Sequence, residues 1–86
     1  MRYLTSKQFE KDFRKLTPTL RNKVLERIEI FITNQHDTRL RVHALKGEWH
    51  GYYSIDITGD IRAVHVYIEE EIVQFIAIGT HGQLYR

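Results

Sequence analysis

Ile72-Val73-Gln74-Phe75-Ile76-Ala77-Ile78-Gly79-Thr80-His81-Gly82-Gln83-Leu84-Tyr85 is the stretch from which the rest of this chain can be understood. From Ile72 to Ile78 every residue but Gln74 is apolar, and most are β-branched or aromatic, the pattern of a strand buried on both faces. Such a strand usually lies in the middle of a sheet, with the other elements packed around it. Gly79 and Gly82 then bracket a histidine, and an aromatic follows at Tyr85. A histidine at the mouth of a central strand is a place for chemistry. It is equally the exposed end of a frayed C-terminal tail.

Two more strands precede this one. Tyr52 to Ile57 alternates, with Tyr53, Ile55 and Ile57 on one face and Tyr52, Ser54 and Asp56 on the other. After the turn Thr58-Gly59-Asp60, Ile61 to Ile68 turns Arg62, Val64, Val66 and Ile68 the same way, and Glu69-Glu70-Glu71 forms a solvated turn before Ile72. Connections this short make the strands antiparallel hairpins.

Helices fill the N-terminal half, after a short candidate strand at Arg2 to Leu4. Thr5-x-x-Gln8 matches a capping box. From there Phe9, Phe13 and Leu16 fall on one helical stripe, with Lys7, Lys11, Arg14 and Lys15 largely opposite. Thr17-Pro18 punctuates: Thr17 suits a cap and Pro18 the first helical position. A second helix then runs to about Thr33, carrying Arg21, Lys23 and Arg27 on its polar side. Residues 34–38 are turn-like, and Arg39 to Gly47 reads as a basic loop. The expected architecture is α+β: a short N-terminal strand and a two-helix hairpin packed on an antiparallel-rich sheet of about four strands, in one domain spanning 1–86.

Composition narrows the function. The 86 residues include no cysteine, which excludes disulfides and thiolate metal sites and fits a reducing cytoplasm. No apolar run reaches a membrane span, and the first residues lack the apolar stretch of a signal peptide. The net charge of +2 hides an asymmetry. Residues 1–48 carry 11 Lys and Arg against 6 Asp and Glu, and residues 49–86 carry 2 against 5. The basic half points to an anionic partner such as nucleic acid, although an ordinary solvated helix surface has the same composition.

His43, His50, His65 and His81 share the C-terminal half with Asp56, Asp60 and Arg62. Histidine titrates near neutrality and suits proton transfer; arginine presents a fork of donors that fits phosphate. RNA cleavage needs a base for the 2′-hydroxyl, an acid for the leaving 5′-oxygen and a cation for the charge that develops at phosphorus. His, Asp and Arg supply all three, so neither cofactor nor metal is expected. No HExxH, P-loop, GxGxxG or GxSxG spacing occurs. His65, within a strand, reads as a packed or surface strand residue, and His36 as a turn residue. Trp49 reads equally as a base-stacking group or a packing one.

Three segments carry a family resemblance: His43-Ala44-Leu45-Lys46-Gly47-Glu48-Trp49-His50-Gly51-Tyr52-Tyr53, then Gly59-Asp60-Ile61-Arg62, then Ile78 to Tyr85. Together they resemble the RelE/ParE superfamily of bacterial toxins, and within it the YafQ-like mRNA interferases. The resemblance implies a RelE-like fold and a ribosome-dependent endoribonuclease of a type II toxin–antitoxin system. Such a protein is cytoplasmic, monomeric alone and neutralised in a heteromeric complex by a cognate antitoxin, here expected to be acidic and partly disordered.

Carried over by residue, it gives His81 as the C-terminal catalytic histidine, His43 as the histidine opening H-x-L-x-G, Asp60 as an active-site acid and Tyr85 as the terminal aromatic. Arg62 resembles a phosphate-contacting strand arginine. YafQ-like proteins commonly carry a second catalytic histidine where this chain has Asp56, and Asp56 or His50 are the candidates to replace it. Lys7, Lys11, Arg14, Lys15, Arg21, Lys23, Arg27, Arg39, Arg41 and Lys46 are the expected contacts to ribosomal RNA and mRNA. The competing expectation is a ParE-like toxin or interaction module that acts by binding a protein.

Overall fold

A computed structural model describes residues 1–85. Strand β1 (Arg2–Thr5) leads into helices α1 (Lys7–Arg14) and α2 (Pro18–Thr33). A 3-10 turn (Thr38–Leu40), strand β2 (His43–Ala44) and a second 3-10 turn (Gly47–Trp49) follow. Strands β3 (Tyr53–Asp56), β4 (Ile61–Glu69) and β5 (Ile72–Thr80) and a one-turn helix α3 (His81–Leu84) complete the chain. The expected α+β outline holds, with one strand more than anticipated: His43–Ala44, within the stretch read as a basic loop, pairs with β3.

The sheet order is β1-β5-β4-β3-β2. β4 is therefore the middle strand, and β5 lies beside it, paired antiparallel to β4 and parallel to β1. Val73 and Phe75 on β5 are buried while Gln74 and Ile76 are half-buried, so burial on both faces begins only at Ala77. The cause is a bulge. Val64 faces Ala77 and His65 faces Phe75, which leaves Ile76 as an extra residue on β5. Phe75 and Ile78 consequently both reach the core, although strict alternation would send them to opposite faces.

Phe9, Val24, Ile28 and Phe31 from the helices pack on Ile55, Ala63, Val73 and Phe75 of one sheet face. His65 joins this core, fully buried, with its ring 4.7 Å from Phe31 and 5.3 Å from Phe75. No partner among the described residues meets either ring nitrogen, and burial pushes its pKa down to about 4. The imidazole is therefore neutral.

The start of α1 departs from expectation. Thr5 is the last residue of β1, and Ser6 is the cap, accepting from the Phe9 amide at 3.0 Å. Ser6 is better placed because it also meets the edge of β5 beyond the reach of β1. Its amide donates to the Phe75 carbonyl at 3.0 Å and its hydroxyl to that of Ile76 at 2.7 Å. The second helix is capped by Thr17 with Pro18 at its first turn, as the sequence predicts.

Candidate active site

The alternation that buries Ile55 and Ala63 against the helices turns their neighbours Ser54 and Arg62 to the other face of the sheet. There β2, the start of β4 and α3 enclose an open cleft of about 510 Å³. His43, Lys46, Arg62, His81 and Tyr85 line it, with Trp49, Glu48 and Ser54. Three separate parts of the chain, residues 43–46, Arg62 and residues 81–85, thus deliver candidate residues to one place.

Local sequence accounts for each delivery. His43 sits opposite Ser54 in the β2–β3 register. The turn after β2 closes because Gly47 and Gly51 take φ of +64° and +93°, a region that a side chain rarely adopts. Between those glycines Trp49 turns inward. Its indole N–H donates to the Leu84 carbonyl at 3.2 Å, and its ring meets Tyr85 and Tyr52 edge-on. Trp49 therefore fastens the C-terminal turn to the 47–49 turn, so packing is the role the structure assigns to it.

The tail is not frayed. Thr80 and Gln83 form a reciprocal capping box, with the Thr80 amide donating to Gln83 Oε1 at 2.8 Å and the Gln83 amide to Thr80 Oγ1 at 3.2 Å. T-x-x-Q at 80–83 was the sequence signal for this turn, and the expectation of a capping box at 5–8 lay in the wrong place. A Cβ on Gly79 would stand 3.0 Å from Gln83 Oε1, so the glycine lets α3 fold back onto the strand end. His81 opens this helix, exposed, with its ring 4.8 Å from that of Tyr85 one turn later.

Asp56 does not line the cleft but touches one of its residues. Its Oδ1 lies 3.5 Å from Arg62 Nε and its Oδ2 lies 3.5 Å from Arg41 Nε. Asp60 and His50 stand apart from the cleft. Asp60 is exposed in the β3–β4 turn, its amide donating to Thr58 Oγ1, and His50 is exposed at the end of the second 3-10 turn. Among the basic residues expected to meet RNA, only Lys46 lines the cleft with Arg62. Lys15 lines a neighbouring groove between α1 and α3. Lys23 pairs with Glu26, Arg27 donates to the Arg39 carbonyl, and Arg39 grips Asp37, whose carboxyl it holds down to about 2.

Nothing in the sequence marks Ser54, because a serine in an alternating strand looks like ordinary surface. It is 1% exposed at the floor of the cleft. Its hydroxyl, like that of Tyr85, is shut off from water without a hydrogen-bond partner among the described residues. No group of three or more histidines, cysteines or carboxylates among the described residues could hold a metal ion.

No curated protein matches the sequence. Solved structures match its fold. YafQ from E. coli strain BL21(DE3) is 22% identical with a TM-score of 0.82, covering 98% of this chain and 97% of its own. A chain of the E. coli DinJ–YafQ toxin–antitoxin complex is 23% identical with a TM-score of 0.79, covering 98% and 96%. The YoeB/ParE toxin from Agrobacterium tumefaciens is 19% identical with a TM-score of 0.79, covering 94% and 99%. The sequence model of the family described as "Bacterial toxin of type II toxin-antitoxin system, YafQ" matches residues 1–86. The chain, with its RelE-like sheet and histidine-lined cleft, belongs to the YafQ family of bacterial toxins of type II toxin–antitoxin systems.

Proposed function

We propose that this toxin is an endoribonuclease that cleaves mRNA on the ribosome, and that the cleft on the open sheet face is where it does so. The observation that carries the reading is the convergence of His43, Arg62, His81 and Tyr85 on that cleft. Two imidazoles supply a base and an acid. The base removes the 2′-hydroxyl proton, O2′ attacks phosphorus, and the bond to the 5′-oxygen breaks as the acid protonates it. The products are a 2′,3′-cyclic phosphate and a free 5′-hydroxyl. Arg62 stabilises the charge that builds on the phosphoryl oxygens, and Tyr85, held at its edge by Trp49, offers a face to a base. Asp60 and His50 take part only if bound RNA extends past the rim.

The physiological partner is a cognate antitoxin, by analogy with the DinJ–YafQ and YoeB–YefM complexes whose toxin fold this chain shares. No helix among the described residues is long and apolar enough to cross a membrane, and action on ribosomes puts the toxin in the cytoplasm. Translation in vitro with the purified protein tests the reading. Cleavage of mRNA within the open frame is expected, lost with His81→Ala and suppressed by the antitoxin. Inhibition of growth without any cleavage would replace it with a toxin that acts by binding a protein.

A further inference from the structure

Two kinds of arginine–carboxylate pair occur among the described residues, and their difference is informative. Arg39 grips Asp37 through two donors, Nε at 3.0 Å and Nη2 at 2.8 Å. That is a closed ion pair with the fork of the guanidinium occupied. Asp56 is met differently. Arg41 and Arg62 each approach a different oxygen of Asp56, with Nε as the closest atom at 3.5 Å, too long for a strong hydrogen bond. Neither arginine side chain makes any other hydrogen bond or ion pair among the described residues, so the Nη donors of both remain unused. The carboxylate is 18% exposed, whereas the arginines are 71% and 30% exposed. The anion is thus sunk in the sheet and the two cations stand above it.

The backbone carries a second sign. Arg41 has φ of 48° and is the one non-glycine residue with positive φ among those described. Glycine or asparagine would end the preceding 3-10 turn in this conformation with less strain. Arginine there instead brings a long cation back over β3 to Asp56. Arg41 lines a separate groove with Tyr53 and Tyr67, and its strained backbone carries the side chain to a carboxylate that touches the cleft's Arg62, the pattern of stored pre-organisation.

We infer that Asp56 is a positioning carboxylate that aims Arg41 and Arg62 as a two-guanidinium clamp on the RNA backbone, Arg62 on the phosphate in the cleft and Arg41 on the next one. This rests on the RNA-cleft reading and extends it. It gives Arg41 a defined phosphate in place of general docking, and it removes Asp56 from proton transfer, although it stands where related toxins commonly carry a histidine. The loose Nε contacts orient the guanidinium planes and leave the Nη edges, the fork that fits a phosphate, to the substrate.

The test pairs binding with cleavage. A short 2′-O-methyl oligoribonucleotide, which cannot be cleaved, is titrated against the parent, Arg41→Ala, Arg62→Ala and Asp56→Asn over a range of salt concentrations. Cleavage on programmed ribosomes is followed across pH for the parent and for Asp56→Asn and Asp56→Glu, with melting curves to confirm folding. For each arginine variant the slope of log affinity against log salt should fall by about 0.7, the value for one phosphate contact to a single strand. Asp56→Asn should bind at least as tightly as the parent, having lost a negative charge. It should nonetheless cleave on the order of tenfold more slowly with a pH profile of unchanged shape, and Asp56→Glu should recover part of the rate.

A salt slope unchanged by Arg41→Ala, with the parent binding, overturns the clamp and leaves the RNA reading intact. Loss of one limb of the pH profile in Asp56→Asn makes Asp56 a proton-transfer group and overturns the positioning role. A parent that neither binds the oligonucleotide nor cleaves mRNA overturns both readings together.

Discussion

The Asp12 carboxylate, in the last turns of α1, accepts a hydrogen bond at 2.9 Å from the amide of Ile78, 66 residues further along the chain. β1 pairs with β5 only as far as Phe75, so the edge of β5 beyond it needs other partners. Ser6 and Asp12 provide them from the helix side. Because Ile78 lies just ahead of Gly79-Thr80-His81, the same contact steadies the strand end from which the turn bearing His81 departs. Asp12→Ala leaves a part-buried amide unpaired and should cost about 1–3 kcal/mol in denaturant unfolding. Asp12→Asn keeps an acceptor and should cost less.

His81 allows the proposed chemistry to be tested apart from stability. It is exposed, so His81→Ala should melt at nearly the parent's temperature and still bind the antitoxin. A proton-transfer group is worth about 10²–10⁴ in rate, so single-turnover mRNA cleavage on programmed ribosomes should fall by at least about 10². Phe75→Ala should do the opposite, losing about 3–5 kcal/mol of stability through a core cavity. Undiminished cleavage by a folded His81→Ala protein would remove His81 from the acid–base role.

His65 makes stability depend on pH. Burial among Phe31, Phe75, Tyr53 and Tyr67 lowers its pKa from 6.5 to about 4. Between those values the unfolded chain takes up a proton that the folded chain refuses. Stability is therefore greatest above about pH 6.5 and declines as the pH falls toward 4, by up to about 1.4 kcal/mol per pH unit. His65→Leu, of similar volume and unable to titrate, should flatten this part of the curve. Parallel pH–stability curves for parent and variant would contradict the account.

Trp49 holds the tail through the bond from its indole to the Leu84 carbonyl. Trp49→Phe keeps an aromatic ring and deletes that donor. Loosening α3 should misplace both His81 and Tyr85, so kcat should drop severalfold with little change in melting temperature. Hydrogen exchange should show faster opening of amides 81–85.

Ser54 carries a hydroxyl that is buried without a hydrogen-bond partner among the described residues. Ser54→Ala removes an unsatisfied polar group and adds no volume, so the melting temperature should stay level or rise. A clear fall would show that the hydroxyl has a hydrogen-bond partner in solution.

The order and type of the elements were legible in the sequence because they rest on local periodicity. The stripe Phe9-Phe13-Leu16, the Thr17-Pro18 punctuation and the alternation around Ile55 and Ala63 each describe a helix or a strand without reference to distant residues. The motif segments likewise named His43, Arg62, His81 and Tyr85 as the residues to watch, and these four share the cleft. Tertiary structure decided what depends on contacts across the chain. His43–Ala44 becomes a strand only because β3 offers an edge. Ser6 displaces Thr5 as a cap because it can also reach β5. The bulge at Ile76 sends Phe75 and Ile78 to the same core, against the period of the sequence. Asp56 and Arg41 are 15 positions apart and meet only once β2 and β3 have paired. Hydrophobic period acts between neighbours in sequence, whereas register, bulges and charge pairing are set by neighbours in space, and only folding determines which those are.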